Sequence, residues 1–321
     1  MSSSSPKRNP LFSLLFGAKL LGAGVVALAG ATAKELPSFD TVGEFAGPAL
    51  TVAVVGVVLA LIVARRVTAL LLLAVACWLA FELAPQWSMP EDPPAVGVRP
   101  VRIYFDNIWT QNHHGEEIQR SIDAADADVV ALVQVSDLNA PFVRQALSGY
   151  RYHLESPTAT DQEGSRRIIL AARFPLKPLP APDDGMPSQS VFEAEVGAAK
   201  PIRLVIVHLQ RPWPSHGRDE SLQQLAARLS GRHAARAVVV GDFNATLSSV
   251  ALRRFAHETG MTPLPVVFGD WPSIAPAPLR LGIENVMTGP ALTAFDRQLA
   301  LANGSDHQPI VFELAPAAGA D

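Results

Sequence analysis

Two short strings near the C-terminus, Gly241-Asp242-Phe243-Asn244 and Gly304-Ser305-Asp306-His307, hold the residue types that phosphoester chemistry needs. Each sets a carboxylate beside a second polar group at the edge of an apolar run, Ala237 to Val240 for the first and Pro309 to Phe312 for the second. A strand ending there can aim both groups rigidly at a phosphate and a divalent cation. A third string, His208-Leu209-Gln210-Arg211-Pro212, closes the β-branched run Ile202 to Val207. Three strand ends offering carboxylates, an amide and imidazoles read as a hydrolase site.

The elements that must position these groups are legible as runs. Strands are expected at Val101 to Phe105, Val129 to Val135, Arg167 to Ala172, Val191 to Val196, Ile202 to Val207, Ala237 to Val240 and Pro309 to Phe312. Helical stretches intervene at Gly115 to Ala125, Asp219 to Leu229 and Ser248 to Thr259. Strands alternating with helices and hairpins predict an α/β layered sandwich over residues 101–316, with a short tail at 317–321.

The chain has 321 residues, 49 % of them hydrophobic, and a mean hydropathy of +0.20, and the apolar excess lies at the front. Apolar runs at about 11–33, 49–64 and 67–83 are near the roughly 17–25 residues a helix needs to cross a bilayer, so residues 1–84 are expected to be a three-helix membrane anchor. Lys7 and Arg8 before the first run and Arg65-Arg66 between the second and third place the N-terminus and that turn in the cytoplasm. Three crossings then put the rest of the chain outside, as a multi-pass protein of the bacterial cell membrane. Cys77, the single cysteine, lies in the third run, so the exterior part has no disulfide. Five prolines between 85 and 100 mark a semi-rigid linker.

The ordered strings Tyr104-Phe105-Asp106-Asn107-Ile108-Trp109, Ala127-Asp128-Val129-Val130-Ala131-Leu132, Ala172-Arg173-Phe174-Pro175-Leu176, His208 to Pro212, Gly241 to Asn244 and Gly304 to His307 resemble the endonuclease/exonuclease/phosphatase superfamily of DNase-I-like metal phosphohydrolases. The resemblance implies a four-layer α/β/β/α sandwich with the site at one edge, and the three leading helices look like the bacterial membrane-anchored branch. It further implies that Asp306 and His307 form a general-base pair with a neutral imidazole, whose carboxylate partner is Glu284, where the family usually has aspartate. Asp242 and Asn244 match the pair that polarises the attacking water, and His208 matches the histidine that stabilises developing phosphoryl charge. Asn107 matches the first-strand amide near the metal, so the implied metal set for Mg²⁺ or Mn²⁺ is Asn107, Asp306 and the residue at 134. Arg166 and Asn112 are the candidate substrate-binding residues.

At that position the chain departs from the pattern. After Asp128 to Leu132 the family places its principal metal-binding glutamate, and here the run reads Val133-Gln134-Val135. Gln134 offers a carbonyl oxygen without charge, which predicts weakened metal binding. Asp137 could substitute only if its loop turned back, and Asp106 points away from Asn107 on a regular strand. Beyond residue 85 there are 20 Lys and Arg against 26 Asp and Glu, a balance of −6. A nuclease gains most of its affinity from neutralised phosphates, so this balance disfavours nucleic acid and favours a small or lipid-borne phosphoester. The sequence leaves three functions open: a membrane-tethered phosphoester hydrolase, a catalytically impaired phosphate-binding or scaffold module of the same fold, and an exported nuclease. His113-His114 fits a solvated loop better than a metal clip, since neighbouring side chains diverge, and Arg166-Arg167 fits a strand-edge charge pair as readily as a phosphate clamp.

Overall fold

The computed structural model describes residues 10–32, 39–87, 94–161, 164–182, 185–187, 190–197, 200–212, 217–229, 231 and 234–319, in two compact units, 1–85 and 86–321. Lys7 and Arg8, on which part of the orientation rests, lie outside the described residues.

The first unit contains α1 (Pro10–Thr32), α2 (Asp40–Gly43), α3 (Ala46–Ile62) and the start of α4 (Arg66–Trp87). Ala46, Ala49, Ala53, Gly56 and Ala60 form a buried stripe of small residues along α3. A side chain at Gly56 would come within 2.9 Å of Leu72, so glycine is what lets α3 approach α4. Ala64 takes a left-handed φ of +54° between them, which ends α3 at Ile62. Among the described residues only Arg66–Ala84, 19 residues, is long and apolar enough to cross a membrane; the apolar helical stretches Gly17–Gly30 and Ala46–Ile62 are shorter. Three such helices were expected from the sequence, and one meets the length.

The second unit is built on two sheets. The first has the order β12 (Leu292–Leu299), β13 (Ile310–Pro316), β1 (Val101–Asn107), β2 (Val129–Val135), β5 (Gly164–Ala172) and β3 (Tyr152–Glu155), with β4 (Ala159–Asp161) beside β5. The second runs β10 (Thr262–Pro263), β11 (Glu284–Thr288), β9 (Ala237–Asp242), β8 (Ile202–His208), β7 (Val191–Val196) and β6 (Leu176–Pro178). Ala95 donates to the carbonyl of Pro316, so the proline-rich stretch joins the sandwich before β1 starts.

The sheets face each other across one core, in which Ile103, Phe105, Ala131, Val133, Ile168 and Leu170 meet Leu204, Ile206, Val238, Val240 and Val286. The outer face of the first sheet is covered by α5 (Gly115–Ala125) and α6 (Ala140–Ala146), through Ile118, Ile122 and Val143. That of the second is covered by α7 (Gly217–Arg228) and α8 (Val250–Thr259), through Leu222, Leu225, Leu252 and Phe255. Side chains alternate along a strand, so the residue two beyond an inward core residue also points inward. By that rule Asn107 follows Phe105, His208 follows Ile206, Asp242 follows Val240, and Glu284 and Arg166 stand two before Val286 and Ile168. The core between the sheets thus turns polar at one end, and that end is the candidate site.

Candidate active site

Asp242 is the centre of this cluster and is 2 % exposed. Its Oδ1 accepts the backbone N–H of Asn244 at 2.8 Å, and its Oδ2 accepts the Asn107 amide at 2.9 Å. His307 Nε2 stands 3.7 Å and His208 Nε2 3.8 Å from that same Oδ2. One carboxylate oxygen therefore accepts from an amide and faces two imidazoles across gaps too long for direct hydrogen bonds, room that a polar ligand between them can use.

The local backbone is shaped for this convergence. A Cβ at Gly241 would lie 2.0 Å from the Val207 carbonyl oxygen, so glycine before Asp242 is required for β9 to lie against β8. Asn244, Gln134 and Trp109, each at or just past a strand end, have φ of +48°, +57° and +60°, strain that non-glycine residues hold only where surroundings enforce it. The pairing of β2 with β5 slips between Leu132 and Val135, and this bulge turns the Gln134 amide to within 3.0 Å of His208 Nε2. Asn244 passes its side-chain amide to the Leu209 carbonyl, and its own carbonyl accepts from Arg218, buried at the start of α7.

Glu284, fully buried, lies 3.2 Å from His307 Nδ1, off the line of the ring N–H, and its other oxygen has no hydrogen-bond partner. Behind it stands Asp270, also fully buried, which accepts the backbone N–H groups of Ile283 and Glu284 at 3.2 Å each and pairs with Arg297 at 3.1 Å. The two histidines are in opposite states. Burial pushes His208 down to about 4, aided by Arg166 and Arg211 against the pull of Asp242, so it is neutral. Burial would also lower His307, but Glu284, Asp242 and Asp270 outweigh it and push the ring up to about 10. Glu284 itself is raised by burial, and the proton the pair shares rests on His307, which faces three carboxylates. The imidazole that the family resemblance makes a neutral base is here the charged one.

Of the residues expected at the site, Asn107, His208, Asp242, Asn244, Glu284 and His307 come together. Asp306 borders them, taking the Trp271 indole N–H on Oδ2 at 3.3 Å. Asn112 does not face the site: it is fully buried, its amide donating to Asn303 and its oxygen accepting from His114 N–H, so it braces the loop after β1. The Arg166-Arg167 pair divides, Arg167 binding Asp137 and lying near Glu155 outside the core while Arg166 turns inward toward His208. Asp137 is thereby committed to Arg167 and Ser165. The Asp270–Arg297 pair was invisible in sequence, since its members lie 27 residues apart in segments without periodicity.

The expected metal set does not fit a divalent cation. Asn107 Oδ1 accepts from Trp109 N–H, the Gln134 amide faces His208, and Asp306 accepts from Trp271. Among the described residues no group of three His, Cys, Asp or Glu side chains could hold a metal ion. Mg²⁺ is normally held by at least one carboxylate, and the strand end that would supply it carries Gln134.

Asp106 faces away from Asn107, as strand alternation requires, and accepts from Asn303 at 2.6 Å. Burial raises its carboxyl from 3.8 to about 7, with its second oxygen unpaired. The folded state thus binds this proton more tightly than the unfolded one. The contribution to stability is complete below about pH 4 and is lost as pH rises through 7, at up to about 1.4 kcal/mol per pH unit. In detergent-solubilised full chain, Asp106→Asn is expected to flatten the fall of denaturant stability between pH 5 and 7.5; parallel pH profiles for parent and variant would contradict this.

The family described as Endonuclease/Exonuclease/phosphatase matches residues 107–307, a span bounded by Asn107 and His307. No curated protein matches the sequence. Among solved structures, the endonuclease/exonuclease/phosphatase from Beutenbergia cavernae is 19 % identical over 70 % of this chain and 73 % of its own, with a TM-score of 0.55. The human Nocturnin catalytic domain with bound sulfate is 16 % identical over 69 % and 96 %, at 0.53. The mannosyl-6-phosphatase of Bacteroides thetaiotaomicron is 13 % identical over 67 % and 99 %, at 0.54. At these identities the likeness is one of fold.

Proposed function

This chain belongs to the endonuclease/exonuclease/phosphatase family, and from that premise we propose that it is a membrane-tethered, extracytoplasmic hydrolase of a small or lipid-borne phosphoester. The observation that carries the reading is the single oxygen of Asp242 facing His208, His307 and the Asn107 amide. Asp242 takes a proton from water as the oxygen closes on phosphorus, and the leaving oxygen draws its proton from solvent. His307, held as imidazolium by Glu284, lends positive charge to the phosphoryl oxygens, while neutral His208 and inward-facing Arg166 line the opposite side. Asn107 and the Asn244 N–H fix the carboxylate's orientation.

Enzymes of this family generally use divalent metals, and Mg²⁺ or Mn²⁺ remains the group the fold implies; the donors present here fit neither tightly, so no step is routed through them. Tethering is supported by the apolar span Arg66–Ala84 and by the two shorter apolar helices before it, which we read as further crossings. The Arg65-Arg66 turn, placed inside by its charge, puts the catalytic unit outside. The acidic balance of −6 beyond residue 85 favours a small or lipid headgroup phosphoester over nucleic acid. Gln134 favours a second reading, a phosphate-binding module that no longer turns over. The test is hydrolysis by reconstituted full chain of a phosphomonoester, a phosphodiester, a lipid pyrophosphate and single-stranded DNA. Turnover of the lipid or small esters with little of DNA is expected. Preferential DNA cleavage would replace this reading by the nuclease, and phosphate binding without turnover of any ester would replace it by the binding module.

A further inference from the structure

Residues 264–279, Leu-Pro-Val-Val-Phe-Gly-Asp-Trp-Pro-Ser-Ile-Ala-Pro-Ala-Pro-Leu, form a surface segment whose single charged residue, Asp270, is buried against Arg297. What it shows to solvent is Val267, Phe268, Ile274 and Leu279, with Ile274 94 % exposed. An isoleucine at the tip of a floppy loop would mean little, but this one is held rigidly. Ser273 N–H donates to the Asp306 carbonyl at 2.8 Å and Ser273 Oγ to the Ser305 carbonyl at 2.7 Å. Arg280 clamps the carbonyls of Ser273 and Ala275 at 2.6 and 2.7 Å and the side chain of Gln308 at 2.6 Å. The same stretch supplies Trp271 to Asp306, so the apolar residues stand beside the candidate catalytic loop. At its other end Val266 N–H donates to the carbonyl of Gln86, two residues past the apolar span that ends at Ala84.

We propose that this segment is a membrane-docking surface, on which Phe268, Val267 and Ile274 enter the headgroup layer and bring the strand-end site to phosphoesters carried by lipids. The occupant is a bilayer because the exposed face has no charge to pair with a polar partner and because the unit that carries it follows directly in the chain on the apolar span that ends at Ala84. Rigid apolar and aromatic residues without exposed charge are what partitioning into an interface rewards. This deepens the lipid-borne reading of the substrate and rests on it, but its test needs no turnover.

The test uses full chain in a Cys77→Ala background, with a nitroxide at Phe268→Cys, Ile274→Cys or, as a solvent reference, Lys177→Cys, in phosphatidylglycerol/phosphatidylethanolamine vesicles. The ratio of collision with dissolved oxygen to collision with a water-soluble nickel chelate is expected to be at least threefold higher at 268 and 274 than at 177. Equal ratios at all three sites, or shielding of 268 and 274 from both reagents as a protein partner or second copy would give, would overturn the proposal. Ile274→Asp is further expected to lower hydrolysis of a vesicle-borne phosphoester at least fivefold while sparing a soluble ester; equal effects on both would also overturn it. Absence of turnover on every ester with a raised oxygen ratio would remove the hydrolase and leave the docking surface standing.

Discussion

Replacing Arg297 by methionine is expected to cost about 3–5 kcal/mol of stability, the range for removing one partner of a buried ion pair. The guanidinium side chain is 5 % exposed and bonds Asp270 Oδ2 at 3.1 Å, the Phe268 carbonyl at 3.2 Å and the Glu284 carbonyl at 3.3 Å. Without it Asp270, raised by burial to about 6 even with Arg297 present, keeps its charge in the core only at high cost. Asp270→Asn added to the Arg297 change keeps an oxygen for the N–H groups of Ile283 and Glu284 and removes the charge, so the double variant is expected to recover part of the loss. Denaturant unfolding checks both, and a loss below about 1 kcal/mol for Arg297→Met would show that the pair stabilises little. The same pair sets the start of β11, so the damage reaches the Glu284–His307 contact as well as stability.

Gln134→Glu is expected to convert a weak response to Mg²⁺ or Mn²⁺ into a saturable stimulation of about tenfold or more, because it restores a charged oxygen ligand at the strand end beside Asn107 and His208. The bulge in β2 already aims the side chain into the cluster, so the exchange alters charge with little change of shape. Titrating the metal into parent and variant after chelation reads the effect directly. Superimposable curves would mean that the missing carboxylate is not what limits metal binding here.

Much of the framework was legible because the core strands are long apolar runs bounded by polar strings. Helix Gly115–Ala125 falls where the sequence placed it, and strands β1, β2, β7, β8, β9 and β13 follow their runs to within a few residues. The strand Glu284–Thr288 was not foreseen: it opens on a carboxylate, and all five of its residues are buried on both faces, so no alternation marks it. Strand Leu292–Leu299 is interrupted by the left-handed Asp296 and a slip in pairing with β13, which masks its period. The strings of the candidate site themselves were readable, since identity and position relative to strand ends suffice to bring Asp242, His208 and His307 together. Their protonation was not, because it depends also on Asp270, which only the tertiary packing sets near His307. Asn112 misled for a related reason, as an amide in a loop looks available until the loop's own backbone claims both ends.

On the proposed function, Asp242 activates water in a site that works without a tightly held cation. The most direct test is initial-rate hydrolysis of a phosphomonoester by reconstituted full chain, in chelator and in excess Mg²⁺, for parent and Asp242→Asn. Asparagine keeps one oxygen, enough for the Asn244 N–H but not also for the Asn107 amide, and it cannot take the proton, so measurable parent turnover in chelator, Mg²⁺ stimulation below about tenfold, and a loss of about 10²–10⁴-fold in the variant under both conditions are expected. Turnover that survives Asp242→Asn, or that appears only with Mg²⁺ and vanishes in chelator, would contradict it.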